Sequence, residues 1–154
     1  MNAFGNGMVA LLRHPGELAR LRADPEGLAD TAVEEMLRYD APLQLFERTA
    51  RAEVRIGEVS IPAGRTVAAL LGAANRDPAA FADPDRFDVG RDPNPHLGFG
   101  AGLHFCLGAP LARVELRAAL ATLIRQRPGL ALAAEPVRRP TFVLRGYAEV
   151  RVAC

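Results

Sequence analysis

The stretch "LGFGAGLHFCLG" (Leu97–Gly108) holds four glycines, one histidine and one cysteine within twelve residues. A proline-rich segment precedes it, and a long apolar pattern opening at Pro110 follows it. Glycine reaches backbone conformations closed to other residues and lets the main chain approach a ligand closely. A cysteine just ahead of a helix N-terminus is favoured as thiolate by the helix dipole. The stretch does not cradle a phosphate. Leu103 and Phe105 occupy the positions where the third glycine of G-x-G-x-x-G would fall, no strand precedes it, and the chain has no Gly-Lys-Ser/Thr triplet.

Two other chemistries use part of the pattern. His96, His104 and Cys106 supply three zinc ligands, whereas a closed site takes four, and the remaining candidates His14 and Cys154 lie at opposite ends of the chain. A nucleophilic Cys106 needs a base, and His104, two residues away, is poorly spaced for it. The plain alternative is a buried cysteine acting as a small hydrophobe. One chemistry uses every feature: a thiolate as axial ligand of the metal in a large flat cofactor. The glycines then admit the cofactor, Phe99 packs beside the sulfur, and His104 meets its acidic substituents. That describes haem held by cysteine.

Outward from this stretch, residues 110–126 read as the strongest helix, with Leu111, Val114, Ala118 and Ala121 in one stripe. Leu116, Leu120, Leu123 and Ile124 widen it, so burial over most of the helix surface is expected. Upstream, residues 75–103 show no convincing period and hold four prolines. Phe81, Phe87 and Phe99 mark this segment as an ordered, irregular loop rather than a disordered one. Ala29, Ala32, Val33, Met36 and Leu37 fall at i, i+3, i+4, i+7 and i+8, a helix capped by Asp30 or Thr31 and ended by Pro42. Residues 7–23 read as helix interrupted at His14-Pro15. "EVRIGEVSIP" (Glu53–Pro62) reads as a hairpin around Gly57-Glu58, within a strand-rich region 45–71. Short strands are expected near Leu130–Leu132, Thr141–Arg145 and Glu149–Val152. The fold class is therefore mainly α with small β-sheets (α+β).

Glu35 and Arg38 lie at i and i+3 and flank the apolar stripe of their helix. An exposed pair there is worth a few tenths of a kcal/mol. A buried pair holds a distant loop and needs further partners, for which Arg86 is a candidate.

Composition excludes several classes. With 19 Lys+Arg against 18 Asp+Glu in 154 residues, the net charge is +1, and the basic residues are spread along the chain. No nucleic-acid or anionic-membrane partner is expected. No apolar run reaches the ~20 residues of a bilayer span, and "MNAFGNGMVALL" has no basic n-region or cleavage site. Two cysteines make no disulfide scaffold. A cytoplasmic location is expected.

"FGAGLHFCLG" (Phe99–Gly108) resembles the haem-binding signature of the cytochrome P450 family, F-x-x-G-x-H/R-x-C-x-G. "EEMLR" is similar to the family's E-x-x-R pair at Glu35 and Arg38, and "PDRF" (Pro84–Phe87) resembles its P-E-R-F element. "ANRDP" (Ala74–Pro78) and "LLRHP" (Leu11–Pro15) resemble its bacterial, soluble branch. The resemblance covers essentially residues 1–154 and implies a C-terminal haem-binding portion of the fold, with the N-terminal part absent.

By this resemblance Cys106 is the metal ligand and the cofactor is haem b (iron protoporphyrin IX), the thiolate favouring O–O cleavage. Arg48 and His104 bind its propionates, Phe99 shields the sulfur, and Gly100 and Gly108 belong to the same cofactor-binding loop. Glu35, Arg38 and Arg86 form the structural cluster. Leu43, Leu45 and Phe46, with Phe142 and Val143, line the substrate side. The implied reaction is oxidation of a small organic substrate by dioxygen with electrons from a ferredoxin-type or flavin redox partner; Arg113 and Arg117 read either as a solvated helix face, the plainer reading, or as a contact for an acidic ferredoxin. The resemblance also leaves room for a non-catalytic haem-binding remnant or half of a split enzyme.

Overall fold

The computed structural model describes residues 2–154. Three helices open the chain: α1 (Asn2–Arg13), α2 (Pro15–Ala23) and α3 (Pro25–Tyr39). The expected break at His14-Pro15 separates α1 from α2, because Pro15 has no N–H to continue α1 but suits the first turn of α2. α3 starts five residues before the cap read from the sequence. Asp24 is the actual N-cap, its side chain accepting from the Gly27 N–H at 2.9 Å, with Pro25 in the first turn. Thr31, one of the expected caps, instead donates to the carbonyl of Val89 at 2.7 Å and so ties the helix to the irregular loop.

α1 packs on α3 at Gly7, where a β-carbon would run into the Met36 side chain. The apolar stripe of α3 faces inward as expected: Ala29, Ala32, Val33, Met36 and Leu37 are all buried. Ala32, Val33, Met36 and Leu37 join Leu11, Leu21, Phe87, Val89, Leu116 and Leu120 in one core.

Four two-stranded antiparallel sheets surround this core. β1 (Phe46–Thr49) pairs with β4 (Thr66–Ala69), placing Phe46 opposite Ala69. β2 (Val54–Ile56) and β3 (Val59–Ile61) form the expected hairpin, with Gly57 taking the positive φ of its turn. β5 (Ala131–Leu132) pairs with β8 (Val152–Ala153), and β6 (Val137–Arg138) with β7 (Tyr147–Glu149). The strand expected over Thr141–Arg145 reduces to a single bridge, Leu43 to Leu144. The strand-rich region read over 45–71 ends in a short helix, α4 (Leu71–Ala74).

Between α4 and a single 3₁₀ turn at Gly102–His104, the chain forms no helix or strand. This long loop is nonetheless anchored, with Phe81, Phe87 and Val89 buried. α5 (Ala109–Gln126) corrects an expectation. Rather than being buried over most of its surface, it buries Ala109, Leu116, Leu120 and Ile124 only, while Leu111 and Val114 are exposed. α5 packs against α3, while Leu111, Val114 and Ala118 of the stripe read from the sequence are exposed.

Candidate haem-thiolate site

The site rests on an ion-pair cluster that organises the irregular loop. Glu35 and Arg38 are both fully buried. Arg38 uses its whole donor fork: Nε and Nη2 donate to the two Glu35 oxygens at 2.7 and 2.9 Å. Nη1 donates to the carbonyls of Asn75 and Pro84, both at 2.8 Å, and Nη2 also to that of Arg86 at 3.1 Å. Glu35 in turn accepts from the Asp88 N–H at 2.9 Å and from the Asn94 amide at 3.2 Å. Buried charges persist only when paired and hydrogen-bonded, and here every N–H of the guanidinium has a partner. One helical turn thus captures the backbone at three points of a segment that has no secondary structure of its own.

The second guanidinium on Glu35 belongs to Arg91, not Arg86. Arg91 Nε lies 3.2 Å from Glu35 Oε2 and its side chain is almost buried. The Arg86 side chain is 60% exposed and reaches only Asp88, at 3.9 Å. Arg86 serves the cluster through its carbonyl, which accepts from both Arg38 and Arg91. Sequence spacing cannot make this distinction, because nothing periodic marks either arginine within the loop.

Asn75, buried at the loop's start, accepts the Leu97 N–H on its side chain at 2.7 Å and so holds the two ends of the loop together. The chain then enters the stretch Leu97–Gly108. Gly100 and Gly102 take φ of +73° and +70°. At Gly100 a β-carbon would also press on the Phe46 ring, 3.1 Å away, so this glycine brings the cysteine loop against β1. The Cys106 N–H donates to the Phe99 carbonyl at 3.0 Å, and the Cys106 carbonyl accepts from Ala109 at the first residue of α5. Cys106 is exposed at this junction. Around it Leu103, Leu107 and Leu111 are largely solvent-exposed and Phe105 half so. An apolar surface with a thiol at its centre is an unusual thing to show to water.

Neighbouring segments border the same loop. Phe46 carries the Arg48 guanidinium over its ring at 5.1 Å, and Arg48 and His104 are both exposed. Three residues before Phe46, Leu43 bridges Leu144, and the Gln44 N–H donates to the Val143 carbonyl at 2.9 Å. The structure therefore joins the two segments that carry Leu43, Leu45 and Phe46 on one side and Phe142 and Val143 on the other. Phe142 and Val143 are exposed. Leu45 is partly buried.

The cytochrome P450 profile matches residues 27–126, which include the Glu35–Arg38 pair and the whole cysteine loop. This chain belongs to the cytochrome P450 family. It is 48% identical over 99% of its length to the biotin biosynthesis cytochrome P450 of Bacillus subtilis (strain 168), and 49% identical over 95% to the 6-deoxyerythronolide B hydroxylase of Saccharopolyspora erythraea. It superposes with TM-score 0.95 and 48% identity on the crystal structure of P450BioI in complex with an acyl carrier protein ligated to hexadec-9Z-enoic acid, covering 98% of this chain and 39% of that one. The chain spans 38% and 37% of the lengths of the first two relatives.

Haem is the cofactor of this P450 family, and the residues present fit it. Among the described residues no group of three or more His, Cys, Asp and Glu side chains could hold a metal ion. The zinc alternative therefore finds no ligand set, and His96 is turned inward onto Glu34 at 2.9 Å. A single exposed thiol in an apolar surround suits a metal that brings its other ligands with it.

The sequence reading also passed over a contact behind the loop. Arg113 and Arg117, read from the sequence as a solvated helix face or as a contact for a redox partner, are both paired: Arg113 in a fork to Glu34, at 2.6 and 2.8 Å, and Arg117 to Asp30 at 2.8 Å. Burial pushes the Glu34 carboxyl up, but the hydrogen bonds from Arg113 and His96, with the charge of Arg113, outweigh it and hold the group down at about 2.

Proposed function

We propose that residues 1–154 form the C-terminal haem-binding portion of a haem-thiolate monooxygenase, in which Cys106 would hold the iron of haem b. The observation that carries this reading is the exposed Cys106 at the entry to α5, in a stretch that also exposes Leu103, Phe105, Leu107 and Leu111, in a chain of this family. When bound, haem supplies the redox chemistry that splits dioxygen and inserts one of its atoms into a C–H bond, R–H + O₂ + 2e⁻ + 2H⁺ giving R–OH + H₂O.

The chain's own residues bind and orient. Cys106 would supply the sulfur ligand from the N-terminal end of α5. Phe99, whose carbonyl accepts from the Cys106 N–H, would shield the sulfur, and Gly100 and Gly108 would let the loop approach the cofactor closely. Arg48 and His104, both exposed at the border of the apolar surface, take the propionates as charge-assisted partners. Glu35 and Arg38, with the Arg86 carbonyl and Arg91, hold the loop that presents the cysteine. Leu43, Leu45, Phe46, Phe142 and Val143 offer an apolar wall to a small lipophilic organic substrate. Electrons come from a ferredoxin-type or flavin partner in the cytoplasm.

The test is the absorption spectrum of the haem-supplemented protein, reduced and exposed to carbon monoxide, beside Cys106→Ala. A strongly red-shifted Soret band that the mutant loses is expected. A band indifferent to the mutation, or no haem uptake, defeats the reading. Haem uptake with the red-shifted band, but no electron-driven product from any partnered assay, leaves a haem-binding module rather than a monooxygenase.

A further inference from the structure

Behind the cysteine loop, three charged or polar side chains from three parts of the chain converge on Phe99. Glu34 of α3 accepts the Arg113 fork from α5, Nε at 2.6 Å and Nη2 at 2.8 Å. It also takes the Nε2 of His96 at 2.9 Å. The Gly98 N–H donates to His96 Nδ1 at 3.0 Å, so that nitrogen is the acceptor and the ring proton sits on Nε2, pointing at Glu34. The His96 side chain is 2% exposed. The Arg113 guanidinium carbon lies 4.8 Å from the centre of the Phe99 ring, and the His96 and Phe105 rings stand 6.2 and 6.4 Å from it. Phe99 is the residue whose carbonyl holds the Cys106 N–H.

We propose that Glu34, His96 and Arg113 are positioning residues for Cys106: Glu34 fixes the planar Arg113 fork over Phe99 and His96 beside it, and Phe99, so clamped, sets the cysteine loop. The claim rests on the reading of Cys106 as haem ligand. Geometry distinguishes it from ordinary helix pairing. Arg117 and Asp30 join the same two helices by the same kind of pair, yet neither touches an aromatic of the loop, and both are exposed. An exposed pair of that kind adds little. The Glu34 carboxylate is bound at both oxygens by donors from two other segments, which ties α3, α5 and the loop into one geometry.

Two readouts test the proposal on Glu34→Gln, Arg113→Gln and Arg113→Lys, with Asp30→Asn as the control on the same helices. In the haem-loaded protein the share of the reduced carbon monoxide complex lacking the red-shifted Soret band is expected to rise severalfold in the three variants and not in the control. Arg113→Lys does not rescue, because an ammonium makes neither the fork nor the planar stack. In a Phe99→Ala background, Glu34→Gln adds nothing further. In the haem-free protein, hydrogen exchange of the Cys106 amide is expected to quicken about tenfold in the variants and to stay unchanged in Asp30→Asn. Variants that match the control, rescue by lysine, or an undiminished Glu34→Gln effect without Phe99 each overturn the proposal. Should the parent protein show no red-shifted band, the haem reading fails, and the amide exchange still decides whether this network holds the loop.

Discussion

Arg38 is the residue on which the loop's order depends. Five hydrogen bonds fix its three nitrogens, and three of them end on loop carbonyls far along the chain. Removing one partner of a buried pair leaves the other charge unpaired in a site closed to water, which costs about 3–5 kcal/mol. Glu35→Gln and Arg38→Met are therefore expected to lose most of a small domain's stability, and Arg91→Ala somewhat less, since its neighbours keep Glu35 paired. Arg86→Ala is expected to change stability by no more than about 0.5 kcal/mol, because its contribution is a carbonyl that alanine also has. Urea denaturation of the four variants checks the order. A severe Arg86→Ala would return the role to that side chain.

At the scale of elements, α3 illustrates where sequence reasoning reaches and where it stops. Its five periodic apolar residues were legible, since each buries against a neighbouring helix at the spacing an α-helix dictates. Its start was not. Asp24-Pro25 carries both a turn signal and a cap-plus-first-turn signal, and what separates them is the Asp24 side chain's bond to the Gly27 N–H. Asp24→Ala is expected to cost about 1 kcal/mol, whereas Thr31→Val tests the loop tether to Val89 instead; thermal unfolding of the first variant measures the cap. In α5 the number of apolar residues was legible but not which of them turn inward, because the choice depends on where α3 crosses. The cysteine loop was the most legible part, being written in consecutive residues. Arg91 and Glu34 were illegible as site residues and His96 was legible only as a metal-ligand candidate, since their partners lie 56, 79 and 62 positions away along the chain.

Across the whole molecule, ion pairs add a second set of ties between segments that share the apolar core. Arg20 of α2 reaches Asp88 in the loop at 2.9 Å, and Glu34 joins α3 to α5 and to His96. These carboxylates give the fold a specific acid sensitivity. Burial pushes Asp88 up, but the Gly90 N–H and the Arg20 guanidinium outweigh it and lower its pKa, as Arg113 and His96 do for Glu34. A carboxylate depressed in the folded state adds stability that is fully present above its unfolded value, near 4, and disappears as pH falls through the folded value, about 2 for Glu34. The Glu34 contribution amounts to no more than about 3 kcal/mol. Stability is therefore expected to be level from pH 7 to about 5 as far as these two groups govern it, and to fall steeply between about 5 and 2. Glu34→Gln with Asp88→Asn lowers the neutral plateau and flattens that fall, so that the parent and variant curves converge near pH 2. Unfolding free energies measured by urea at a series of pH values check this. Parallel curves over the whole range would show that the two pairs shape the loop without storing stability in their charge.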